Sequence, residues 1–304
     1  MLRTTTFQRV LLISLVVLLS TSKAGSASAG IRTGLNPTFT CDGVSEIPRV
    51  ECEALVALYD STNGPGWGRQ AGWLVTDTPC TWYGVTCQAG HVQWLDLSHN
   101  QLSGAIPACL GNLANLTLLD LSFNQLSGAI PPELGNLVSL GALHLGYNQL
   151  SGAIPPELGN LVSLGLLHMG YNQLSGAIPH ELGNLANLRE LCLGGNRLSD
   201  AIPPELGNLA NLQVLCLGGN RLSGAIPPEL GNLAELQGLF LNDNPLSGAL
   251  PRSLMNLNLI SFYFNNTHLC EPPDATFQAW LAGIYDLRRT GVVCSYAYLP
   301  LCSH

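Results

Sequence analysis

Leu95-Asp96-Leu97-Ser98-His99-Asn100-Gln101-Leu102-Ser103-Gly104-Ala105-Ile106-Pro107 decides the fold, because it returns along the chain. Asparagine recurs at Asn100, Asn124, Asn148, Asn172, Asn196, Asn220 and Asn244, each 24 residues after the last. With few departures, each stands in L-x-L-x-x-N-x-L-S-G-A-I-P, followed by x-x-L-G-N-L-x-x-L. An eighth, degenerate copy is one residue shorter, with Phe262 and Phe264 in the strand leucine places and Thr267 in the asparagine place. At 304 residues, length alone suggests about two domains. A fixed internal period replaces that with one elongated body of stacked units.

One repeat is too small to bury its own leucines, so it must stack on its neighbours. The L-x-L pair alternates in and out with the period of a strand. Its leucines then form ladders down a continuous core. The asparagine stands at the turn after the strand, where its amide can bond backbone groups of adjacent coils. Gly-Ala-Ile-Pro relaxes the backbone and then fixes φ, turning the chain across the other face.

L-x-L-x-x-N-x-L-S-G-x-I-P-x-x-L-G-N-L resembles the plant-type leucine-rich repeat of receptor-kinase ectodomains, polygalacturonase-inhibiting proteins and many secreted microbial proteins. The resemblance covers about residues 50 to 270. It implies an α/β class fold: a right-handed leucine-rich-repeat solenoid with a parallel β-sheet on its concave side. Short strands and 3-10 turns would line the convex side. The implied activity is recognition without catalysis. The expected organisation is a leader at 1–29, an N-terminal cap at 30–91, eight repeats over 92–269 and a C-terminal cap at 270–304.

The ends read as caps for the hydrophobic faces of the terminal coils. Residues 46–59 read as a short helix, followed by Trp67, Trp73 and Cys80-Thr81-Trp82-Tyr83-Gly84-Val85-Thr86-Cys87, which resembles the family's N-terminal cap. Asp274 is placed to cap a second helix running to about Leu287, with Phe277, Trp280, Leu281 and Ile284 on one apolar face and Arg288 and Arg289 at its C-terminal end. Of ten cysteines, the favoured bridges are Cys80–Cys87, Cys270–Cys294 and Cys41–Cys52. Cys302 competes for Cys294, and spacing does not settle connectivity. Cys109 takes the convex place that other repeats give to glutamate, which leaves it free.

Arg3 and Arg9, an apolar run from Val10 to Leu19 and Ala27-Ser28-Ala29 have the three parts of a signal peptide cleaved before Gly30. Ten apolar residues are too few to span a bilayer. The expected location is secreted or cell-surface, where disulfides persist. The formal net charge is −8, with 12 bases against 20 acids. Removing the leader takes away Arg3, Arg9 and Lys23, leaving nine arginines and a charge of −11. So few cations exclude nucleic acid and an anionic membrane surface as partners. Asn115-Leu116-Thr117 and Asn265-Asn266-Thr267 are glycan acceptors only in a host that glycosylates.

Outward strand positions form lanes, one residue per coil, about 4.8 Å apart. Between the strand leucines run Asp96, Asp120, His144, His168, Cys192, Cys216, Phe240 and Tyr263. Before each asparagine come His99, Phe123, Tyr147, Tyr171, Gly195, Gly219, Asp243 and Asn266. A third lane begins at Trp94. Trp94, Asp96, His99, Asp120, Phe123, His144, Tyr147, His168, Tyr171, Phe240 and Tyr263 are the candidate contacts, because stacked exposed aromatics point to a partner. Four lane residues, His144, His168, Cys192 and Cys216, span about 14 Å, so no single ion reaches them all, and no metal or other cofactor is expected. No hydrolase elbow, zincin or P-loop motif is present. The reading is a non-enzymatic module binding a protein, peptide or cell-surface glycan. The alternatives are a structural cell-surface or matrix rod and an inhibitor of a secreted hydrolase.

Overall fold

The computed structural model describes residues 39–295. The expected leader at 1–29, its cleavage point before Gly30, and Cys302 lie outside the described residues. Each of the eight repeats contributes a short strand, and with one flanking strand at either end they build a ten-stranded sheet. Its strands run from Val85–Gln88 and His91–Asp96 through Leu118–Asp120, Ala142–His144, Leu166–His168, Glu190–Cys192, Val214–Cys216, Gly238–Phe240 and Ser261–Tyr263 to Asp286–Arg288. The first pair is antiparallel and every later pair parallel. Leu95, Leu119, Leu143, Leu167, Leu191, Leu215, Leu239 and Phe262 pair in one unbroken register and are fully buried. Burying each such side chain favours folding by roughly 1.5–3 kcal/mol. The shared register puts the residue between the leucines on the outer side of the sheet in every coil.

Opposite the sheet, each coil crosses in a 3-10 turn, among them Pro132–Asn136, Pro156–Asn160 and Pro204–Asn208. Proline precedes each turn and holds the entering backbone extended, as Pro131 does at φ −65° and ψ 131°. The glycine of L-G-N-L sets the stacking distance: a Cβ at Gly135 would meet the Glu157 carbonyl oxygen at 2.4 Å, and one at Gly159 would meet that of Glu181 at 2.5 Å. Between the two faces, Ser103–Gly104, Gln125–Gly128, Gln149–Gly152, Gln173–Gly176 and Arg197–Leu198 form a five-stranded flank.

The asparagines tie coil to coil. Asn148 Oδ1 accepts the Leu126 N–H at 2.9 Å, and its Nδ2 donates to the Leu121 carbonyl at 2.9 Å and the Leu145 carbonyl at 3.1 Å. Asn100 has no earlier repeat, so it bonds the cap instead: its Oδ1 accepts the Arg69 N–H and its Nδ2 donates to the Arg69 carbonyl. Thr267, in the degenerate coil, bonds only within its own turn.

The N-terminal helix is Arg49–Ser61, shifted from the expected 46–59. Pro48 precedes it rather than lying inside it, and its carbonyl accepts from the Glu51 and Cys52 N–H groups. Trp67, Trp73 and Trp82 are buried behind this helix with their rings in contact. Cys41–Cys52 and Cys80–Cys87 are bonded here, and Cys270–Cys294 at the other end. The second helix corrects the expectation of a run to Leu287. Capped by the Asp274 carboxylate on the Phe277 N–H at 3.0 Å, it covers only Ala275–Ala282. Gly283 ends it, because the chain gains more by pairing Asp286–Arg288 onto Ser261–Tyr263 as a last strand. Arg288 and Arg289 therefore lie at a sheet edge and not at a helix C-terminus. Among the described residues, no helix is long and apolar enough to cross a membrane.

Candidate recognition face

The outer side of the sheet carries three chemistries in sequence. At its N-terminal end Trp94 is 51% exposed and pairs in register with Leu118. With Tyr83, Gly84, Val85, Thr86 and Asp96 these two line an open cavity of about 450 Å³. The Asp96 and Asp120 carboxylates each accept the N–H and hydroxyl of the serine two residues on, at 2.6–3.1 Å. Both therefore stay in place as fixed negative groups.

In the middle, His144 and His168 approach at 3.1 Å between their Nδ1 atoms, and His168 Nε2 lies 3.0 Å from Glu190 Oε2. Burial opposes charge on His168, but hydrogen bonds to Cys192 and Glu190 outweigh it and raise its pKa to about 10. His168 is then an imidazolium that donates its Nδ1–H to His144 and its Nε2–H to Glu190. Burial and that adjacent charge lower the pKa of His144, and the His168 imidazolium holds Glu190 below the usual carboxylate range. At the C-terminal end Phe240 meets Tyr263 edge to face, 4.9 Å between centroids. The Arg288 guanidinium lies 4.3 Å over the Tyr263 ring, and the Tyr263 hydroxyl bonds Asp286.

Beside this lane, His99, Phe123, Tyr147 and Tyr171 stack nearly parallel, with centroids 4.1, 4.3 and 4.4 Å apart. All four have left-handed backbones, with φ from 52° to 57°. Bulky side chains rarely adopt that region, and such outliers gather at functional sites. Hydrogen bonds to the next coil hold it in all four, and in Tyr147 and Tyr171 hydrogen bonds to the coil before as well. The Tyr147 N–H donates to the Gly170 carbonyl at 2.9 Å, and the Tyr147 carbonyl accepts from Asn124 at 3.2 Å. Burial first, then the Tyr171 hydroxyl bonded to it, push the Tyr147 phenol up to about 12. The ribbon ends where glycine takes over: a Cβ at Gly195 would meet the Tyr171 ring at 2.9 Å.

The candidate contacts thus gather into four groups: the cavity end, the histidine pair, the aromatic ribbon and the Phe240–Tyr263 pair. The first and last are not brought together, since Asp96 and Phe240 are six strand spacings apart, about 29 Å. The sequence reading missed Glu190 as the partner of His168 and Arg288 as the partner of Tyr263. It also missed the left-handed backbone, although glycine at the aligned positions 195 and 219 signals a positive φ. Among the described residues, no three His, Cys, Asp or Glu side chains are placed to hold a metal ion.

Family models for the leucine rich repeat match residues 90–150, for two repeat copies 186–232, for single repeats 163–185 and 235–257, and for the leucine rich repeat N-terminal domain 50–88. The chain is 46% identical over 61 residues to the brassinosteroid LRR receptor kinase BRL3 of Oryza sativa subsp. japonica, a match covering 18% of this chain and 5% of that protein. It is similar to PEPR1 in its structure with AtPEP1, at 34% identity and a TM-score of 0.67, over 73% of this chain and 32% of that one. The Arabidopsis HAESA ectodomain bound to the IDA peptide hormone gives 32% and 0.67, over 78% and 41%. A plant ice-binding protein gives 25% and 0.59, over 85% of this chain and 99% of its own. The chain thus spans a small part of the receptor kinase and about a third to two fifths of the PEPR1 and HAESA structures. In its repeats, its N-terminal cap and its sheet, the chain belongs to the plant-type leucine-rich-repeat proteins.

Proposed function

We propose that this protein is a non-catalytic extracellular recognition module that binds an extended peptide, or an extended segment of a protein, along the sheet face, the concave side in the plant-type repeat. The ribbon His99–Phe123–Tyr147–Tyr171 is the observation that carries this reading. Tyr171 is 49% exposed and Phe123 40%, and both sit on a left-handed backbone, Tyr171 bonded to the coils on both sides and Phe123 to the next one. The rings stack on one another, so they offer a partner their edges. A pyranose needs a free ring face, so this arrangement favours a peptide over a glycan. The length also fits: about 29 Å between the cavity end and Phe240 matches roughly nine residues of extended chain. The similar HAESA ectodomain structure is a complex with a peptide hormone. The caps at 30–91 and 270–304 would then serve to close the repeats of 92–269.

The test is a library of extended peptides screened against the purified chain, with binding of each hit measured by calorimetry. The Phe123→Ala/Tyr171→Ala pair should weaken a hit at least tenfold, since an aromatic anchor is worth about 2 kcal/mol or more. Glu133→Ala with Glu157→Ala, on the 3-10 turns, should leave affinity unchanged. Equal loss in both pairs, or none in the aromatic pair, would remove the sheet face as the site.

A second reading rests on the flank. There Ser127-Gly128-Ala129 and its counterparts repeat almost unchanged from coil to coil, and a Cβ at Gly128, Gly152 or Gly176 would lie 3.6–3.9 Å from the alanine Cβ of the coil before. So regular an array of small groups suits a periodic surface, and the size-matched neighbour is an ice-binding protein. Inhibition of ice recrystallisation, abolished by a bulky Ala153→Tyr change, would favour this reading over the peptide one.

A further inference from the structure

Cys192 and Cys216 are partners in register on adjacent parallel strands. Both thiols are free and half-buried, with their sulfurs 2.9 Å apart. A covalent bond requires about 2.05 Å, so closure needs the sulfurs to approach by under ~1 Å. Neighbouring strands, about 4.8 Å apart, fall within the Cα range that a disulfide tolerates. The other free thiol among the described residues, Cys109, lies on a 3-10 turn across the coil. In the lane itself His168 and Phe240 flank the pair, but in the neighbouring lane, where earlier coils carry Tyr147 and Tyr171, these two coils carry Gly195 and Gly219. The aromatic ribbon stops where the thiols begin.

We propose that Cys192 and Cys216 are a dithiol site that exchanges with small external disulfides such as oxidised glutathione, closing to a cross-strand disulfide and reopening when thiol is in excess. The reaction has two steps. The Cys216 thiolate attacks one sulfur of RS–SR. The external S–S bond breaks, a Cys216–SR bond forms, and RS⁻ leaves and takes a proton from water. Cys192 then gives its proton to solvent and attacks the Cys216 sulfur, releasing the second RS⁻. Two protein thiols are oxidised by two electrons and one external disulfide is reduced to two thiols.

The surroundings assign the order. The hydrogen bond to Cys216 and then burial hold the proton on Cys192, pushing its thiol well up, so Cys216 is the first nucleophile. Once Cys216 carries the mixed disulfide, that hydrogen bond is lost. The His168 imidazolium, in register with Cys192 on the neighbouring strand, acts against that rise and favours the Cys192 thiolate at the moment it must attack. His168 is held in turn by Glu190 at 3.0 Å. His168 is here a positioning residue for the second step.

The experiment equilibrates the whole chain in reduced and oxidised glutathione at graded ratios, quenches with acid, alkylates, and maps peptides without reduction. Trypsin separates the two cysteines, because Arg189, Arg197 and Arg221 flank them. The linked pair 190–197 with 198–221 should appear and disappear with the ratio, while Cys41–Cys52, Cys80–Cys87 and Cys270–Cys294 stay closed. Cys192→Ser should stop at glutathione on Cys216. Cys216→Ser should capture glutathione at least tenfold more slowly. His168→Gln should slow closure but not first capture. A pair that never links in folded wild-type protein, or that links and opens only when the other disulfides open, would overturn the proposal. Equal capture rates in the two serine variants would overturn the assigned order.

Discussion

Replacing Tyr147 by glycine and by alanine separates two contributions that the wild-type residue combines. Its ring stacks on Phe123 at 4.3 Å and on Tyr171 at 4.4 Å. Each such pair is worth about 0.5–1.5 kcal/mol beyond burial, so losing both costs roughly 1–3 kcal/mol. Its backbone sits at φ 56°, which disfavours a residue with a Cβ by about 1–2 kcal/mol. Alanine loses the stacks and keeps the strain. Glycine loses the stacks and removes the strain, less the entropy of a freer unfolded chain, a net recovery of about 0.5–1 kcal/mol. The expected order of stability is therefore wild type, then Tyr147→Gly, then Tyr147→Ala. Urea midpoints for the three proteins, at unchanged slope, measure it. Gly195 and Gly219 at the aligned positions have φ 68° and show that the coil accepts glycine there. A Tyr147→Gly protein no more stable than Tyr147→Ala would refute the left-handed backbone and, with it, the rigid ribbon.

Asn196→Ala should lower stability by at least about 2 kcal/mol, because it leaves the Leu174 N–H and the Met169 and Leu193 carbonyls without their amide partner; an unmoved urea midpoint would contradict the ladder. Gly159→Ala should cost about 1–3 kcal/mol by the same measurement, because its Cβ would strike the Glu181 carbonyl at 2.5 Å. The His168–Glu190 pair should make stability depend on pH. The folded-state pKa of His168 is raised from 6.5 to about 10, so its contribution is complete below 6.5 and is lost as pH rises through 10. Glu190 is lowered from 4.5, so its contribution is present above 4.5 and is lost as pH falls below it. Melting curves from pH 3 to 10 should show this loss on both sides, and His168→Gln should flatten the alkaline limb.

The repeat was legible because a 24-residue period forces one register, and one register puts every strand leucine in the core. Which residues share a lane followed from that alone. What the side chains do in their lanes did not, because it depends on backbone angles and on neighbours from other lanes. Glu190 belongs to the lane of Trp94, yet it reaches across to His168. The end of the second helix was misread for a similar reason. The apolar spacing of Phe277, Trp280, Leu281 and Ile284 fits a helix, but the open edge of Ser261–Tyr263 draws Asp286–Arg288 into the sheet. A local pattern does not report an edge supplied by a distant strand.

The close approach at the L-G-N-L glycines has a genetic corollary. Since each 24-residue coil seats on the next through the same backbone contact, gaining or losing one whole unit leaves every seat intact; the one coil of another length, 23 residues from Leu239 to Phe262, lies at the C-terminal end of the repeats and has lost the ladder asparagine. The coils of Asn148 and Asn172 are near twins. An unequal crossover between such twins would add or remove one ring of the aromatic ribbon in a single event and leave the core unaltered. The length of the ribbon would then vary by copy number, and related chains should differ in it by integers.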